Sequence, residues 1–285
     1  MSTLAPYTYL FVPGNRPERF VKAAASEAER VILDLEDAVA PADKAAARQA
    51  IHTWMHTAAS TTLPPQRLMV RINDARSDFF ADDLALLRTL PACGVMLAKA
   101  ERAADLQMVR DAMQADTELL ALVETAAGIA ACPSIASHAS VTRLALGALD
   151  LMVDLNIPAD SPTLTLAASQ LVLASRAAGL AAPVAGVTPS VLAEHTQADM
   201  QDALRLGFGA KMCIHPAQLA GVRRAVAPLP AEVDWAQEVV TAWDAAHAGN
   251  GPTGALQVQG KMVDKPVYLR AQRILNLQQF SQAAA

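Results

Sequence analysis

Short apolar runs alternate with longer segments of helical pattern through most of this chain. There are eight such runs, and within each the apolar residues are nearly continuous rather than alternating with polar ones. Continuous apolar runs indicate strands buried on both faces, which is typical of a parallel sheet covered by helices. The runs are Tyr9–Val12, Val31–Leu35, Leu68–Ile72, Gly94–Leu97, Leu119–Val123, Val141–Leu146, Pro183–Val187 and Lys211–Ile214.

A segment long enough for a helix follows each run, and several of these segments open with Pro or Asp, which favour a helix N-terminus. Eight repeats fit a closed (β/α)8 TIM barrel better than an open doubly wound sheet, although counting alone leaves seven or nine strands as alternatives. We therefore predict an α/β fold with a TIM-barrel domain over residues 1–226. The predicted helices are Pro17–Ala28, Asp43–Ala58, Asp78–Leu90, Arg102–Ala115, Thr125–His138, Leu164–Ala178, Pro189–Leu206 and Pro216–Ala225.

The repeat pattern ends near residue 226, and residues 227–285 have a different organisation. Pro228–Pro230 is a break, Ala231–Ala248 has a helical pattern, and the glycine-rich segment 249–254 indicates a flexible connection. A short extended piece, Gln257–Pro266, then leads into a last helix that reaches Phe280. We expect this C-terminal extension to be an appended helical flap, because it is too small to carry a core of its own.

Composition narrows the class of protein. Of the 285 residues, 53% are hydrophobic and only 4% aromatic, which is typical of a soluble protein with a large aliphatic core. The formal net charge of −5 argues against nucleic-acid binding, which needs a basic face. The three cysteines form no CxxC pair, the N-terminus has no basic segment before its apolar run, and no apolar stretch reaches about 18 residues. We therefore expect a cytoplasmic protein with reduced thiols and no membrane span.

Polar side chains follow seven of the eight predicted strands, at the point where each strand ends. In TIM barrels the carboxyl ends of the strands and the loops after them carry the active site. Several charged groups buried at one mouth cost free energy unless they are paired or bind a metal, so their coincidence predicts a functional site. The seventh strand end, Ala185–Thr188, is nearly bare. The residues at the other ends are Asn15, Arg16, Asp34, Glu36, Asp37, Arg71, Asn73, Lys99, Glu101, Glu124, Asp150 and His215.

Each of these residues also has a purely structural explanation. Glu124 and Asp150 could cap the helices that follow them, where the helix dipole stabilises an acid. The other structural alternatives are an ion-paired cluster of Asp34, Glu36 and Asp37 with Arg71, a pair between Lys99 and Glu101, and a loop hydrogen bond from His215.

Carboxylates without a Cys or His partner predict Mg²⁺, because this ion prefers hard oxygen ligands and leaves room for waters and substrate. An arginine beside such an ion suits a 2-oxo or 2-hydroxy carboxylate, since it can stabilise a developing enolate. Other motifs are weak. No GxGxxG, P-loop, GxSxG or HExxH sequence occurs, and His52 and His56 lack a third metal ligand. From the residues alone we predict metal-assisted enolate chemistry.

These residues lie in segments that resemble the citrate lyase beta-chain family, which includes malyl-CoA and citramalyl-CoA lyases. The similar segments follow one another in order over nearly the whole chain. They are LFVPGNRPERF (10–20), VILDLEDAVAPADKAAAR (31–48), VRIN (70–73), VMLAKAE (95–101), ALVETAAGI (121–129), ALGALDLMVDL (145–155), GFGAKMCIHPAQL (207–219) and GKMVDKPVYLRAQRIL (260–275).

The resemblance implies a Mg²⁺-dependent TIM-barrel enzyme, a homotrimer or hexamer, that acts on CoA thioesters of hydroxy acids. It implies that Glu124 and Asp150 bind the metal and that Arg71 binds the substrate and steadies the enolate. Asp264 resembles the acid/base that family members place over a neighbouring subunit's mouth, so residues 227–285 are expected to pack on a neighbouring subunit. Without the resemblance, Asp264 is most simply the N-cap of the last helix.

Further roles follow from the same resemblance. Glu36 and Asp37 are expected to support Arg71 and the waters of the metal. Substrate contacts are expected from Glu124, Asn15, Arg16, Arg19 and Lys99. The implied reaction is a retro-Claisen cleavage of a citramalyl-CoA-like or malyl-CoA-like thioester to acetyl-CoA and a 2-oxo acid.

The chain departs from the family pattern at three positions. Leu149 stands where a Glu usually precedes the metal-binding Asp, Ala98 replaces a Pro, and Ala185 replaces an Asp. We interpret the two lost acids as a sign of a changed substrate, with loss of activity as the lesser alternative. Other functions left open are the beta subunit of citrate lyase acting on a citryl-acyl-carrier protein, a thioester hydrolase or condensing enzyme, and a catalytically silent homologue.

Overall fold

Eight parallel strands close into a barrel in sequential order, with β8 paired to β1. The computed structural model describes residues 5–57, 64–114, 117–247 and 256–283. The predicted loop 249–254 and the predicted helix ends Ala58, Ala115 and Ala248 lie outside these ranges. The barrel strands are β1 (Thr8–Pro13), β2 (Arg30–Asp34), β3 (Leu68–Ile72), β4 (Gly94–Leu97), β5 (Leu119–Val123), β6 (Arg143–Leu146), β7 (Val184–Ala185) and β8 (Ala210–Cys213).

A helix follows each of these strands, which confirms the predicted TIM barrel. The helices in the described part of the chain are α1 (Phe20–Ala24), α2 (Lys44–Met55), α3 (Phe80–Leu87), α4 (Ala103–Ala112), α5 (Ala126–Ala136), α6 (Ala148–Leu155), α7 (Pro162–Ala177), α8 (Ala193–Leu206), α9 (Leu219–Val226), α10 (Pro230–His247) and α11 (Lys265–Ala283). Short 3-10 turns precede three of the helices, at Pro17–Arg19, Pro41–Asp43 and Pro216–Gln218, and a fourth, at Pro65–Arg67, precedes β3.

Besides small shifts at several element ends, the structure differs from the predicted elements in three places. The first helix ends at Ala24 rather than Ala28, because the Ser26 hydroxyl donates to the carbonyl of Ala23 and competes with the helix. The seventh strand is only two residues long, since Pro183 before it has no N–H for the sheet. Helix α6 was not predicted as a separate element, because it starts directly after β6 without a polar linker.

The barrel interior is filled by apolar side chains from every strand. The buried cluster consists of Tyr9, Ile32, Met69, Met96, Leu120, Leu122, Ala145, Val184, Ala210 and Met212. Phe11 and Val187 pack against this cluster and are only partly buried. A filled interior leaves the strand ends as the place where polar groups can collect.

The chain divides into two compact units, residues 5–222 and the C-terminal part from Arg223 onward. In the second unit, α10 and α11 flank an antiparallel hairpin of β9 (Leu256–Val258) and β10 (Lys261–Val263). The expectation that this extension has no core of its own is wrong, because two long helices and the hairpin enclose apolar side chains from all of them. That core contains Ala236, Val239, Val263, Ala271 and Ile274.

None of the helices in the described ranges combines the length and the apolar character needed to span a membrane.

Candidate active site

Arg71 and Asp34 form the buried base of the site, at the carboxyl ends of β3 and β2. The two residues are partners in the β2–β3 register, so the sheet itself places them side by side. Arg71 Nε lies 2.7 Å from Asp34 Oδ1, and Nη2 lies 2.7 Å from Oδ2. Such a two-bond pair fixes the plane of the guanidinium group. Phe11 covers it, with its ring centre 4.7 Å from Cζ.

Glu36 joins this pair to Lys99 on the loop after β4. Its Oε2 lies 3.0 Å from Arg71 Nη1, and its Oε1 lies 2.6 Å from Lys99 Nζ. Burial raises the pKa of Glu36, but the charges of Arg71 and Lys99 outweigh it and hold that pKa below the ordinary value. The predicted ion-paired cluster therefore exists for Asp34, Glu36 and Arg71.

Lys99 does not pair with Glu101, so that alternative is wrong. Glu101 turns away and accepts hydrogen bonds from Arg76 Nη2 at 2.8 Å and from Thr125 Oγ1 at 2.7 Å. Lys99 has a left-handed backbone, with φ 45°. This conformation aims its N–H at Glu124 Oε1, 2.9 Å away, while its side chain reaches Glu36. Strained backbone of this kind is maintained only where its surroundings require it.

Glu124 lies at the end of β5 and is 1% exposed. It does not cap α5, because the Thr125 hydroxyl takes that position and accepts from the Gly128 N–H. Burial, together with the nearby charges of Glu36 and Asp150, raises the pKa of the Glu124 carboxyl to about 8.

Asp150 and Asp37 complete the acidic side of the mouth. Asp150 is in the first turn of α6, and its charge contributes to the raised pKa values of both Glu124 and Asp37. Partial burial and the neighbouring Glu36 carboxylate raise the pKa of Asp37 to about 6. Among the described residues neither Asp37 nor Asp150 has an ion-pair partner. The mouth therefore carries more negative than positive charge.

The described ranges contain no group of three or more Asp, Glu, His or Cys side chains arranged to hold a metal ion. Glu124 and Asp150 together offer two carboxylates. Two oxygen ligands of this kind suit an ion that keeps several waters and takes further oxygens from its substrate. Leu149, 43% exposed, and Ala185, which is buried, add no carboxylate at the positions where the family has one.

Asn15 and Arg16 lie on the exposed loop after β1, and each has a partner within its own surroundings. Asn15 Nδ2 donates to Asp43 Oδ2 at 3.1 Å, and Arg16 Nε lies 2.6 Å from Glu18 Oε1. A cavity of about 430 Å³ opens beside this loop, between the ends of β1 and β8. Its lining is mostly apolar, with basic groups among it, and it includes Phe11, Pro13, Arg19, Lys22, Ile214 and His215.

His215 forms the loop hydrogen bond that was its structural alternative, since its Nδ1 accepts from the Ala217 N–H at 3.1 Å. The buried Gln218 beside it was not predicted as a functional residue, because no local pattern singles it out. Gln218 Oε1 accepts from the Ile214 N–H, and its Nε2 donates to the carbonyls of Thr188 and Ser190, each at 2.8 Å. This one side chain ties the loop after β7 to the loop after β8.

Asp264 precedes α11 in the C-terminal unit and has the N-cap geometry expected for it. Its Oδ1 accepts from the Val267 N–H at 3.2 Å. Tyr268 and Lys265 from the same helix contact Trp243, with 5.0 Å between the Tyr and Trp ring centres and 5.9 Å from Lys265 Nζ to the Trp ring centre.

Known proteins are similar to this chain over nearly its whole length. The chain is 37% identical over 274 residues to a citrate lyase subunit beta-like protein of Mycobacterium tuberculosis, covering 94% of this chain and 93% of that protein. It is 32% identical to a (3S)-malyl-CoA thioesterase of Cereibacter sphaeroides, covering 93% and 92% of the two chains. The crystal structure of M. tuberculosis CitE in complex with magnesium, acetoacetate and coenzyme A has a TM-score of 0.81 and 35% identity, covering 96% of this chain and 98% of that one.

Residues 7–216, which include the whole barrel except the first residues and α9, match one family. With this match and relatives of more than 30% identity along nearly the full length, the chain belongs to the HpcH/HpaI aldolase/citrate lyase family.

Proposed function

We propose that this protein is a Mg²⁺-dependent carbon–carbon lyase that cleaves a hydroxyacyl-CoA thioester to acetyl-CoA and a 2-oxo acid. The observation that carries the proposal is the pair of carboxylates Glu124 and Asp150 next to the fixed guanidinium of Arg71. Lys99 Nζ lies 4.0 Å from Glu124 Oε1, beyond hydrogen-bond distance, and among the described residues Asp150 has no ion-pair partner. A divalent cation held by two acids can bind a substrate carboxylate, and an arginine beside it can stabilise the negative charge of an enolate.

Glu124 and Asp150 fit the ion well. The raised pKa of Glu124, about 8, reflects burial and repulsion from its acidic neighbours, and a bound divalent cation would remove that repulsion. The magnesium in the CitE complex is consistent with this choice of ion. When bound, Mg²⁺ would chelate the substrate carboxylate and hydroxyl oxygens and make the hydroxyl more acidic.

The protein's own groups would then carry the cleavage. Asp37, with a pKa of about 6, is suited to accept the hydroxyl proton near neutral pH. As the carbon–carbon bond breaks, its electron pair becomes the enolate of the acetyl thioester, and Arg71 stabilises that negative charge. As the family resemblance implies, Asp264 of a neighbouring subunit would return a proton to the enolate carbon. Glu36 would hold Arg71 and Lys99 in the orientation that this requires.

The cavity of about 430 Å³ beside β1 and β8 is suited to the thioester arm. Phe11 contacts Arg71 at one end, and Arg19 and Lys22 contribute positive charge to the lining. An apolar channel with basic groups fits a pantetheine chain that ends in phosphate. The coenzyme A in the CitE complex supports a CoA thioester as the substrate class.

A thioesterase is the second candidate, because a relative of 32% identity is named (3S)-malyl-CoA thioesterase. The same mouth would then direct water at the thioester carbonyl, giving free CoA and the intact hydroxy acid. A third candidate is the beta subunit of citrate lyase, which would need citryl-acyl-carrier protein in place of CoA. Leu149 and Ala185 stand where the family pattern has two acids. Their presence favours a substrate that differs from those of family members that keep both acids.

The test is to incubate the purified protein with Mg²⁺ and malyl-, citramalyl- or citryl-CoA and to identify the products by mass spectrometry. We expect acetyl-CoA plus a 2-oxo acid from one of the three, abolished by EDTA and restored by Mg²⁺. Free CoA with an intact hydroxy acid would identify a thioesterase instead. Cleavage only of citryl-acyl-carrier protein would identify a citrate lyase subunit, and cleavage of no thioester would contradict the proposal.

A further inference from the structure

Lys44, the first residue of α2, is buried beneath the loop that joins β2 to this helix. Its ammonium group donates to the carbonyl oxygens of Leu35 at 2.8 Å and Glu36 at 3.1 Å, and to Asn73 Oδ1 at 2.7 Å. All three acceptors are neutral. The lysine is therefore bound to the backbone of the loop rather than to one of its carboxylates.

The third acceptor, Asn73, is itself held firmly. Its Nδ2 donates to Asp83 Oδ2 at 2.6 Å and to the carbonyl of Leu35 at 3.0 Å. Asp83 is fully buried and pairs with Arg48 Nη1 at 2.9 Å. The group that receives the Lys44 ammonium is thus anchored through Asp83 to helices α2 and α3, and through the Leu35 carbonyl to the same loop.

The two carbonyls that Lys44 binds belong to the peptide units before and after the Cα of Glu36. Fixing both peptide units fixes the direction in which the Glu36 side chain leaves the backbone. That side chain spans Arg71 at 3.0 Å and Lys99 at 2.6 Å. An error of about 1 Å in its position would break one of the two contacts, because charge-assisted hydrogen bonds of this length tolerate little displacement.

Packing alone does not explain a lysine at this position. Burial lowers the pKa of the Lys44 ammonium, although Glu36, Asp83 and Asp34 offset part of the effect. A methionine would occupy a similar volume without the cost of a buried charge. The positive charge of Lys44 binds the carbonyls of Leu35 and Glu36, which lie on either side of the Glu36 Cα.

We propose that Lys44 is a positioning residue, which holds the loop after β2 from beneath so that Glu36 bridges Arg71 and Lys99. It acts on the reaction through Glu36 and does not touch the substrate. The effect on catalysis rests on the proposed function, whereas the effect on the position of Glu36 does not.

The experiment compares Lys44→Met, Glu36→Gln and the double variant in a kinetic cycle. We expect Lys44→Met to lower kcat by about 10- to 100-fold while KM for the thioester stays within about threefold, because binding groups remain and only the orientation of Arg71 and Lys99 is lost. In the Glu36→Gln background the same change is expected to have little further effect, since its target is already gone. A general loss of packing would lower kcat by the same factor in both backgrounds, which would overturn the proposal.

Lys211→Met is the matched control. Lys211 is also buried and donates to a loop carbonyl, that of Gly186 at 2.7 Å, but it lies on β8 and binds the loop after β7 rather than the loop after β2. We expect it to lower the urea midpoint about as much as Lys44→Met does and to leave kcat within about twofold. An equal loss of kcat in both lysine variants would contradict the proposal.

A crystal structure of Lys44→Met provides a readout that needs no activity. We expect the Glu36 carboxylate to leave Arg71 Nη1 or Lys99 Nζ, and an unchanged Glu36 would overturn the inference. If the wild-type protein cleaves no thioester, the proposed function fails, and this structure alone decides the role of Lys44.

Discussion

The buried Glu124 carboxylate is repelled by the neighbouring carboxylates of Glu36 and Asp150. Its carboxyl has a pKa of about 8, well above the ordinary value, because it is desolvated and faces Glu36 and Asp150. In the unfolded chain this group loses its proton near pH 4.5. The folded protein keeps that proton longer, so its stability falls as pH rises from about 4.5 to about 8.

Glu124→Gln removes this dependence. In EDTA we expect the variant to be more stable than wild type by roughly 1–3 kcal/mol at pH 8 and by much less at pH 5. Excess Mg²⁺ should reverse the order, because it stabilises only the wild type, by about 2.7 kcal/mol at a hundred times its Kd. Urea unfolding at both pH values measures this. Equal stabilisation of both proteins by Mg²⁺ would contradict the assignment of Glu124 as a ligand.

Lys99 combines two roles that substitution can separate. Its backbone N–H binds Glu124, and its ammonium binds Glu36. Lys99→Gly and Lys99→Ala both remove the ammonium, and we expect both to lose most turnover. Because only glycine adopts φ 45° without strain, the Gly variant should be more stable by about 1 kcal/mol. Thermal unfolding of the two variants tests this, and a more stable Ala variant would argue against the left-handed conformation.

At the scale of elements, Gly147 allows the end of β6 to approach the acid on β5. A Cβ at this position would overlap the Glu124 carboxylate and its Cβ. We expect Gly147→Ala to displace that carboxylate and to weaken Mg²⁺ binding at least tenfold, measured by calorimetric titration. The control is Gly179→Ala, whose Cβ would meet nothing within 4 Å. It should cost about 1 kcal/mol for its positive φ and leave Mg²⁺ affinity unchanged.

Gln218 connects the loop after β7 with the loop after β8 through side-chain hydrogen bonds. Gln218→Leu would leave the Ile214 N–H and the carbonyls of Thr188 and Ser190 without this partner in the interior. We expect a loss of roughly 2–4 kcal/mol in the free energy of unfolding, from urea titration. The same change at the exposed Gln201 on α8 should stay within about 0.5 kcal/mol. Similar losses in both variants would refute a specific bridging role for Gln218.

For the whole molecule, the family resemblance predicts a site shared between subunits. Asp264→Ser keeps an acceptor for the Val267 N–H but removes the acid, so the fold of the C-terminal unit should survive. We expect this variant and Glu124→Gln each to be inactive alone. Co-expressed in equal amounts, they should regain about a quarter of wild-type activity, since one site in four combines an intact mouth with an intact Asp264.

Recovery no greater than the sum of the separate variants would place Asp264 in its own subunit's site or outside the reaction. Light scattering on the same samples measures the mass of the assembly, for which we expect a homotrimer or hexamer. A monomer would contradict both the predicted assembly and the shared site.

The repeated apolar runs were sufficient to predict the barrel, because a buried parallel strand needs apolar residues on both faces and leaves that pattern in the sequence. Strand ends also indicated which residues would meet, since all parallel strands deliver their carboxyl ends to one mouth. Asp34, Arg71 and Glu124 were found in this way. Where capping and ordinary tertiary contacts compete, as at the end of the first helix, the pattern was less reliable.

Only the tertiary structure decided the partners within the mouth. Lys99 turns to Glu36 rather than to Glu101, because its left-handed backbone redirects the side chain. Lys44 and Gln218 lie in segments that resemble the family, but no local pattern singles them out, since their roles depend on carbonyls that other segments bring within reach. The local sequence pattern reflects which residues are buried and the periodicity of strands and helices. Hydrogen-bond partners depend instead on which distant segments the fold brings together. The sequence therefore determined the barrel and the location of its charged mouth, and the folded chain determined how those charges are paired.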